Sequence, residues 1–180
     1  MIRPGNLWKG VVFIKFSAKN MVRCSMFSSL IAICAWICVP VLDIAFTLQT
    51  FAIFLTLGLL GGKRGSAAVL LYLLLGAVGA PVFSGFQGGL GTLAGVTGGF
   101  LWGFLLSGLV YWGLERFGKL PAMIAGQFIC YLCGSLWFYL YAGGGLWLIL
   151  IRCVLPYLLP DAVKIALAYT LSRRLARHIT

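Results

Sequence analysis

The chain has 180 residues, 62% of them hydrophobic and only 9% charged, with a mean hydropathy of +1.04. A water-soluble domain carries roughly a quarter of its residues charged, so this composition excludes an ordinary soluble protein and points to a chain surrounded by lipid. The net charge of +11 does not make a nucleic-acid surface, because no basic face extends along any soluble segment.

Residues 1–23 carry Arg3, Lys9, Lys15, Lys19 and Arg23 spread throughout, without the short apolar core and small-residue cleavage site of a signal peptide. Trp8, Val11, Val12 and Lys15 suit either an amphipathic helix on the inner membrane surface or a disordered basic leader. A first span is predicted over residues 24–39, stopped by Pro40 and followed by an outer turn with Asp43. A second covers residues 46–61, closed by Gly61-Gly62-Lys63-Arg64-Gly65, and a third covers 66–80, punctuated by Gly79-Ala80-Pro81. Residues 81–98 are too glycine-rich for an isolated helix and too apolar for an exposed loop. Irregular backbone at membrane depth survives only under protein or around a cavity, so an ordered loop dipping in from the outer face is predicted. The fourth span covers 99–114, where Gly99, Gly103 and Ser107 continue a four-residue small-residue repeat begun at Gly91 and Gly95 and suited to close helix packing. The fifth covers 120–141 and ends at Gly143-Gly144-Gly145. A short apolar helix over 146–155 stops at Pro156, and the last span begins after Pro160, near Asp161. The predicted architecture is an all-α integral membrane protein, with a basic cytoplasmic segment over 1–23 and a six-helix membrane domain over 24–180.

Most basic residues fall in every second connection: the N-terminal segment, Lys63 and Arg64, Arg116 and Lys119, and Arg173, Arg174 and Arg177. Such clusters mark the cytoplasmic side, so both termini are predicted there. Cys24, Cys34, Cys38, Cys130, Cys133 and Cys153 lie mostly in apolar runs, where cysteine packs as a small hydrophobe. Cys130-x-x-Cys133 has no histidine or second pair beside it, so no metal is expected. The acids are Asp43, Glu115 and Asp161 alone, and the sequence has neither a phosphate-binding loop nor a nucleophile elbow. No enzymatic activity and no cofactor are expected. Asp161 and Lys164 stand three residues apart on one helix face. Charges near hydrocarbon are costly, so either the pair has a use, or Asp161 caps its helix while Lys164 snorkels outward.

The run Leu71 to Phe83 (LYLLLGAVGAPVF) resembles the biotin-specific S components of energy-coupling factor transporters, the BioY family. So do Gly88-Gly89-Leu90, Thr97-Gly98-Gly99-Phe100, Phe46-Thr47-Leu48-Gln49-Thr50 and the stretch from Pro156-Tyr157-Leu158 to Asp161-Ala162-Val163-Lys164, all in family order. The resemblance implies an S-component fold in a bacterial-type cytoplasmic membrane that captures biotin near the outer face. It also implies partnership with a transmembrane coupling subunit and two cytoplasmic ATPases. The family's coupling element on the first helix matches Ser28 and Ala32, preceded by Cys24 at the same spacing. Val96 stands where the family usually has proline, Phe100 where it often has tyrosine, Pro160 in place of glycine, and Arg152 lies where relatives often carry a glutamate.

Biotin offers two ureido N–H donors, a ureido oxygen, an apolar thioether ring and a carboxylate tail. On the implied fold Asp161 accepts from the N–H groups and Lys164 donates to the ureido oxygen, both as charge-assisted bonds. Ser84 or Gln87 of the glycine-rich loop supplies a further polar contact, and Phe83, Phe86, Trp36 and Tyr157 are candidates for the apolar wall. Gln49 is a candidate to support the site from behind. An S component for another vitamin is the close rival reading, and a non-transport membrane protein the more distant one.

Overall fold

The computed structural model describes residues 18–41, 44–143 and 145–179. Asp43, Arg3, Lys9, Lys15 and the stretch around Trp8 lie outside them. Helix α1 (Ala18–Trp36) begins within the segment read as a leader, so Lys19 and Arg23 stand on its first turns. It ends before Pro40, and the chain forms an antiparallel hairpin of β1 (Cys38–Val41) and β2 (Ile44–Thr47), pairing Cys38 with Thr47 and Val39 with Phe46. The hairpin corrects the all-α expectation and shortens both predicted spans at this corner. Valine, isoleucine and phenylalanine around a proline suit a short two-stranded edge better than helix ends.

Helix α2 (Gln49–Leu60) is joined to α3 (Gly62–Ala77) by Gly61 alone, whose φ of 78° makes the reversal possible. With 12 residues, α2 rises only about 18 Å, short of a hydrocarbon core about 30 Å thick. Its side chains from Ala52 to Leu57 are all buried, and it packs against α1, α3, α5 and α8. It is therefore a central strut whose apolarity serves the protein core.

The loop after α3 carries a 3-10 turn (Ser84–Phe86) and a short helix α4 (Leu90–Ala94). Then come α5 (Gly98–Leu114), a second 3-10 turn (Glu115–Phe117), α6 (Lys119–Ala142), α7 (Leu146–Cys153) and α8 (Leu155–Ile179). The last helix starts before its predicted position and contains Pro160. Pro156 costs nothing in the first turn, where its N–H would lack an intrahelical partner, while Pro160 forfeits one ladder bond. The small-residue ridge acts within α5 against α6: a Cβ on Gly99 would stand 2.1 Å from that of Trp137, whereas one on Gly91 would meet nothing.

Polar contacts gather the basic turns at one end of the bundle. Lys119 Nζ donates to Gly58 O at 2.9 Å, Gly62 N–H donates to Glu115 Oε2 at 2.7 Å, and Cys24 Sγ lies 3.5 Å from Arg64 O. Ser172 of α8 packs against Gly58, so Arg173 and Arg174 share this end with Lys63, Arg64 and Arg116. Large apolar side chains such as Met26, Trp112, Phe128 and Leu167 cover the outside. Among the described residues α6 is the one helix both long and apolar enough to cross a membrane by itself, with a mean hydropathy of 1.4.

Candidate functional site

At the end of the bundle away from the basic turns, the hairpin, α2, α5, α6, α7, α8 and the glycine-rich loop line a partly open cavity of about 390 Å³. That is the scale of a small-molecule pocket. Its polar wall centres on Asp161, which does not cap α8 but lies beyond the first turn, 5% exposed. Oδ1 accepts from Lys164 Nζ at 2.8 Å and Thr50 Oγ1 at 3.2 Å. Oδ2 accepts from Tyr131 OH at 2.7 Å and Gln127 Nε2 at 3.0 Å. Lys164 does not snorkel. Its ammonium is equally buried, donates to Thr47 O at 2.6 Å and lies 3.8 Å from the centre of the Phe46 ring. The unpredicted hairpin thus supplies both an acceptor and an aromatic face for the lysine. A buried ion pair needs further hydrogen bonds to offset desolvation, and here both partners have them.

Gln127 and Tyr131, four residues apart on α6, were not anticipated. Neither were Thr47, Thr50, Thr92 and Thr97, which also line the cavity. Gln49, expected to support the site from behind, itself lines the cavity and donates through Nε2 to Tyr72 OH at 2.9 Å.

Phe83, Ser84, Gln87 and Tyr157 all line the cavity. Phe83 is 1% exposed and meets Tyr72 edge-on at 5.5 Å. Its ring fills a notch at Gly76, where a Cβ would fall 2.0 Å from the ring. The cavity is also lined by Phe100 and Phe104 of α5, so the tyrosine-to-phenylalanine departure at residue 100 falls on the pocket wall. Trp36 and Phe86 do not line it, which corrects their assignment to the wall. They stack on each other at 5.0 Å, and Trp36 Nε1 donates to Pro81 O at 2.8 Å, tying the end of α1 to the loop. Phe86 takes a left-handed φ of 58°, which turns its ring outward to that partner.

Cys24, Ser28 and Ala32 are also placed differently from the expectation of a partner-facing element. All three are buried, and α1 turns this small-residue face towards the rest of the chain, mainly α2 and α3. Beyond Ala18 at its start, the small residues exposed on α1 are Ser25 and Ser29, each hydroxyl donating to the backbone carbonyl one turn earlier.

The overall fold is similar to that of the crystal structure of the S-component for biotin from an ECF-type ABC transporter, with a TM-score of 0.81. The alignment covers 88% of this chain and 91% of that one, at 24% identity. The chain therefore has the S-component fold. The sequence shares 37% identity with the biotin transporter BioY of Thermotoga maritima over 164 residues, 88% of this chain and 96% of that protein. It shares 36% with the probable biotin transporter BioY of Pyrococcus horikoshii, with the same coverage. The family model of the BioY family matches residues 9–180, and the chain belongs to the BioY family.

Proposed function

We propose that this chain is the membrane-embedded subunit that captures biotin for an energy-coupling factor importer. The observation that carries the reading is the buried Asp161–Lys164 pair on the wall of a small cavity that several aromatic side chains also line. With two of its three N–H groups given to Asp161 and Thr47, Lys164 retains one donor for a ureido oxygen. Phe83, Phe100, Phe104 and Tyr157 suit the thioether ring, and Ser84, Gln87, Thr92 and Thr97 form a polar rim for the tail. The names of the relatives in Thermotoga and Pyrococcus support the same ligand.

In this reading α1, α2 with its hairpin, α3, α5, α6 and α8 are the six membrane spans. The basic end faces the cytoplasm with both termini, and the cavity faces outward. A transmembrane coupling subunit and two ATPases supply the energy, since this sequence has no phosphate-binding loop. The coupling subunit meets the exposed face of α1 at Ser25 and Ser29, whose internally bonded hydroxyls permit close helix approach in lipid.

Titration of the detergent-purified chain with biotin should show saturable binding, which Lys164→Ala weakens by at least about tenfold, or about 1.4 kcal/mol. Competition with other water-soluble vitamins checks the ligand. Binding of a different vitamin in preference to biotin, or none at all, would remove the proposal.

A further inference from the structure

We infer that the seam between α3 and α5 holds one anionic phospholipid of the inner leaflet, its phosphate between Lys63 and Arg116 and its chains along the two helices. The inference rests on the membrane placement proposed above and not on which vitamin the cavity takes. The two helices run antiparallel: a Cβ on Gly62 would stand 2.5 Å from Trp112 Cβ, and one on Gly108 would stand 2.8 Å from Ser66 Oγ. Successive residues of a helix are turned by about 100°. In an antiparallel pair, the residue after each contact point therefore swings to the same side of the seam on both helices. On α3 these are Lys63 and Ala67, continued along the same face by Leu70 and Leu74. On α5 they are Leu109 and Gly113, continued by Leu106 and Trp102. The three leucine pairs' worth of apolar wall is open to the outside: Leu70, Leu74, Leu106, Leu109 and Trp102 are all exposed. A Cβ on Gly113 would meet nothing, so the middle of this side is a trough. The stretch from Lys63 to Leu74 rises about 16 Å, or about half of a hydrocarbon core about 30 Å thick. That is the depth of one leaflet.

The foot of the trough is cationic. Lys63, Arg64 and Arg116 are exposed there and make no ion pair among the described residues. Glu115, the acid beside them, is committed to the Gly62 N–H at 2.7 Å. The Arg116 guanidinium lies 4.6 Å from the centre of the Phe117 ring, and Phe117 and Trp112 are themselves exposed at this end. Aromatic rings of this kind belong at the level of the headgroups. A guanidinium matches two phosphate oxygens at once, and an ammonium beside it adds a second positive charge. A phospholipid presents apolar chains and then a phosphate in the order in which this face presents leucines and then cations. A net anionic headgroup is selected because no acid in the trough offsets the basic side chains.

The test compares uptake of dioleoyl phosphatidylglycerol and dioleoyl phosphatidylcholine by the full chain, measured by native mass spectrometry from a mild detergent. The chains are identical, and choline cancels the charge of the second lipid. The wild type should bind its first phosphatidylglycerol at least about tenfold more tightly than phosphatidylcholine. The double variant Lys63→Gln/Arg116→Gln should reduce that preference to within about threefold. Lys19→Gln/Arg174→Gln removes the same charge from the same end of the bundle and should keep the preference. Loss of preference in both variants, or in neither, overturns the site. Should the first variant fail to fold, the wild type still decides, because equal binding of the two lipids overturns the inference and the tenfold preference supports it. Release of bound phosphatidylglycerol by the coupling subunit, with co-purification abolished in Lys63→Gln/Arg116→Gln, would give this face to that protein and overturn the inference. If the wild type takes up neither lipid, it is the membrane placement that fails instead.

Discussion

Asp161→Asn keeps the shape of the side chain while removing its charge and half of its acceptor capacity. The new amide has one oxygen, able to accept two bonds, and an NH2 group that must donate. With the oxygen kept towards Lys164 and Thr50, the NH2 confronts the Gln127 amide and the Tyr131 hydroxyl, both donors in the native site. Tyr131 relieves the conflict by rotating its O–H, and Gln127 by flipping its amide. Breaking a buried ion pair costs about 3–5 kcal/mol, and a hydrogen bond to a charged group contributes about 1.5–3 kcal/mol. Because asparagine still accepts from Lys164, the expected loss of folding stability is at the lower end, about 2 kcal/mol. Biotin affinity should fall further than tenfold, to at least about thirtyfold or about 2 kcal/mol, since the variant removes the charge that holds Lys164 in the cavity wall. Thermal melting in detergent reads the first quantity and calorimetric titration the second. An unchanged melting point together with affinity within about threefold of wild type, under 0.7 kcal/mol, would refute the reasoning.

Gly99→Val should drive α5 from α6 at Trp137 and destabilise the folded chain by about 3 kcal/mol, read as loss of the monodisperse peak in detergent chromatography. Trp36→Phe removes the bond to Pro81 O but touches nothing in the cavity. It should lower the melting point by about 2–4 °C, with biotin affinity unchanged in titration. Cys38 is half-buried and lines the cavity, so its alkylation by a maleimide in a variant lacking the other cysteines should slow when biotin is saturating. Ser29→Leu should leave biotin affinity intact while abolishing co-purification with the coupling subunit; unchanged co-purification would move that interface off the exposed face of α1.

The parts of the site legible in the sequence were those written locally. Asp161 and Lys164 are one helical turn apart, and the glycine-rich stretch after α3 is conspicuous by composition, so both could be read without a fold. Thr50, Gln127 and Tyr131 reach the same carboxylate from 111, 34 and 30 residues away, distances over which periodicity says nothing. A signal for two of them existed: Gln127 is the one amide in the apolar run 120–141, and Tyr131 follows it by four residues on the same face. A lone amide in a membrane helix is costly enough to warrant a search for its partner. The hairpin was hidden differently, because Val39, Val41, Ile44 and Phe46 read equally well as the end of one apolar helix and the start of the next. Burial of Cys24, Ser28 and Ala32 was ambiguous in the same way, since small residues permit close approach to a neighbour inside the chain as readily as to a partner outside it.

A carrier must be stable both empty and loaded, which constrains how it can hold charge in its cavity. A carboxylate left bare to await its ligand would penalise the empty state by the full desolvation of a buried ion. Here the charge is satisfied before any ligand arrives, by Lys164, Thr50, Gln127 and Tyr131 together, while the lysine is satisfied in turn by Thr47 and Phe46. What remains for a ligand is one N–H of an ammonium that is already paired, which is far cheaper to leave open than an unpaired charge. The ion pair then serves as a rigid mount that fixes the direction of the lysine donor, and the ligand engages it without the site having to rearrange its charges.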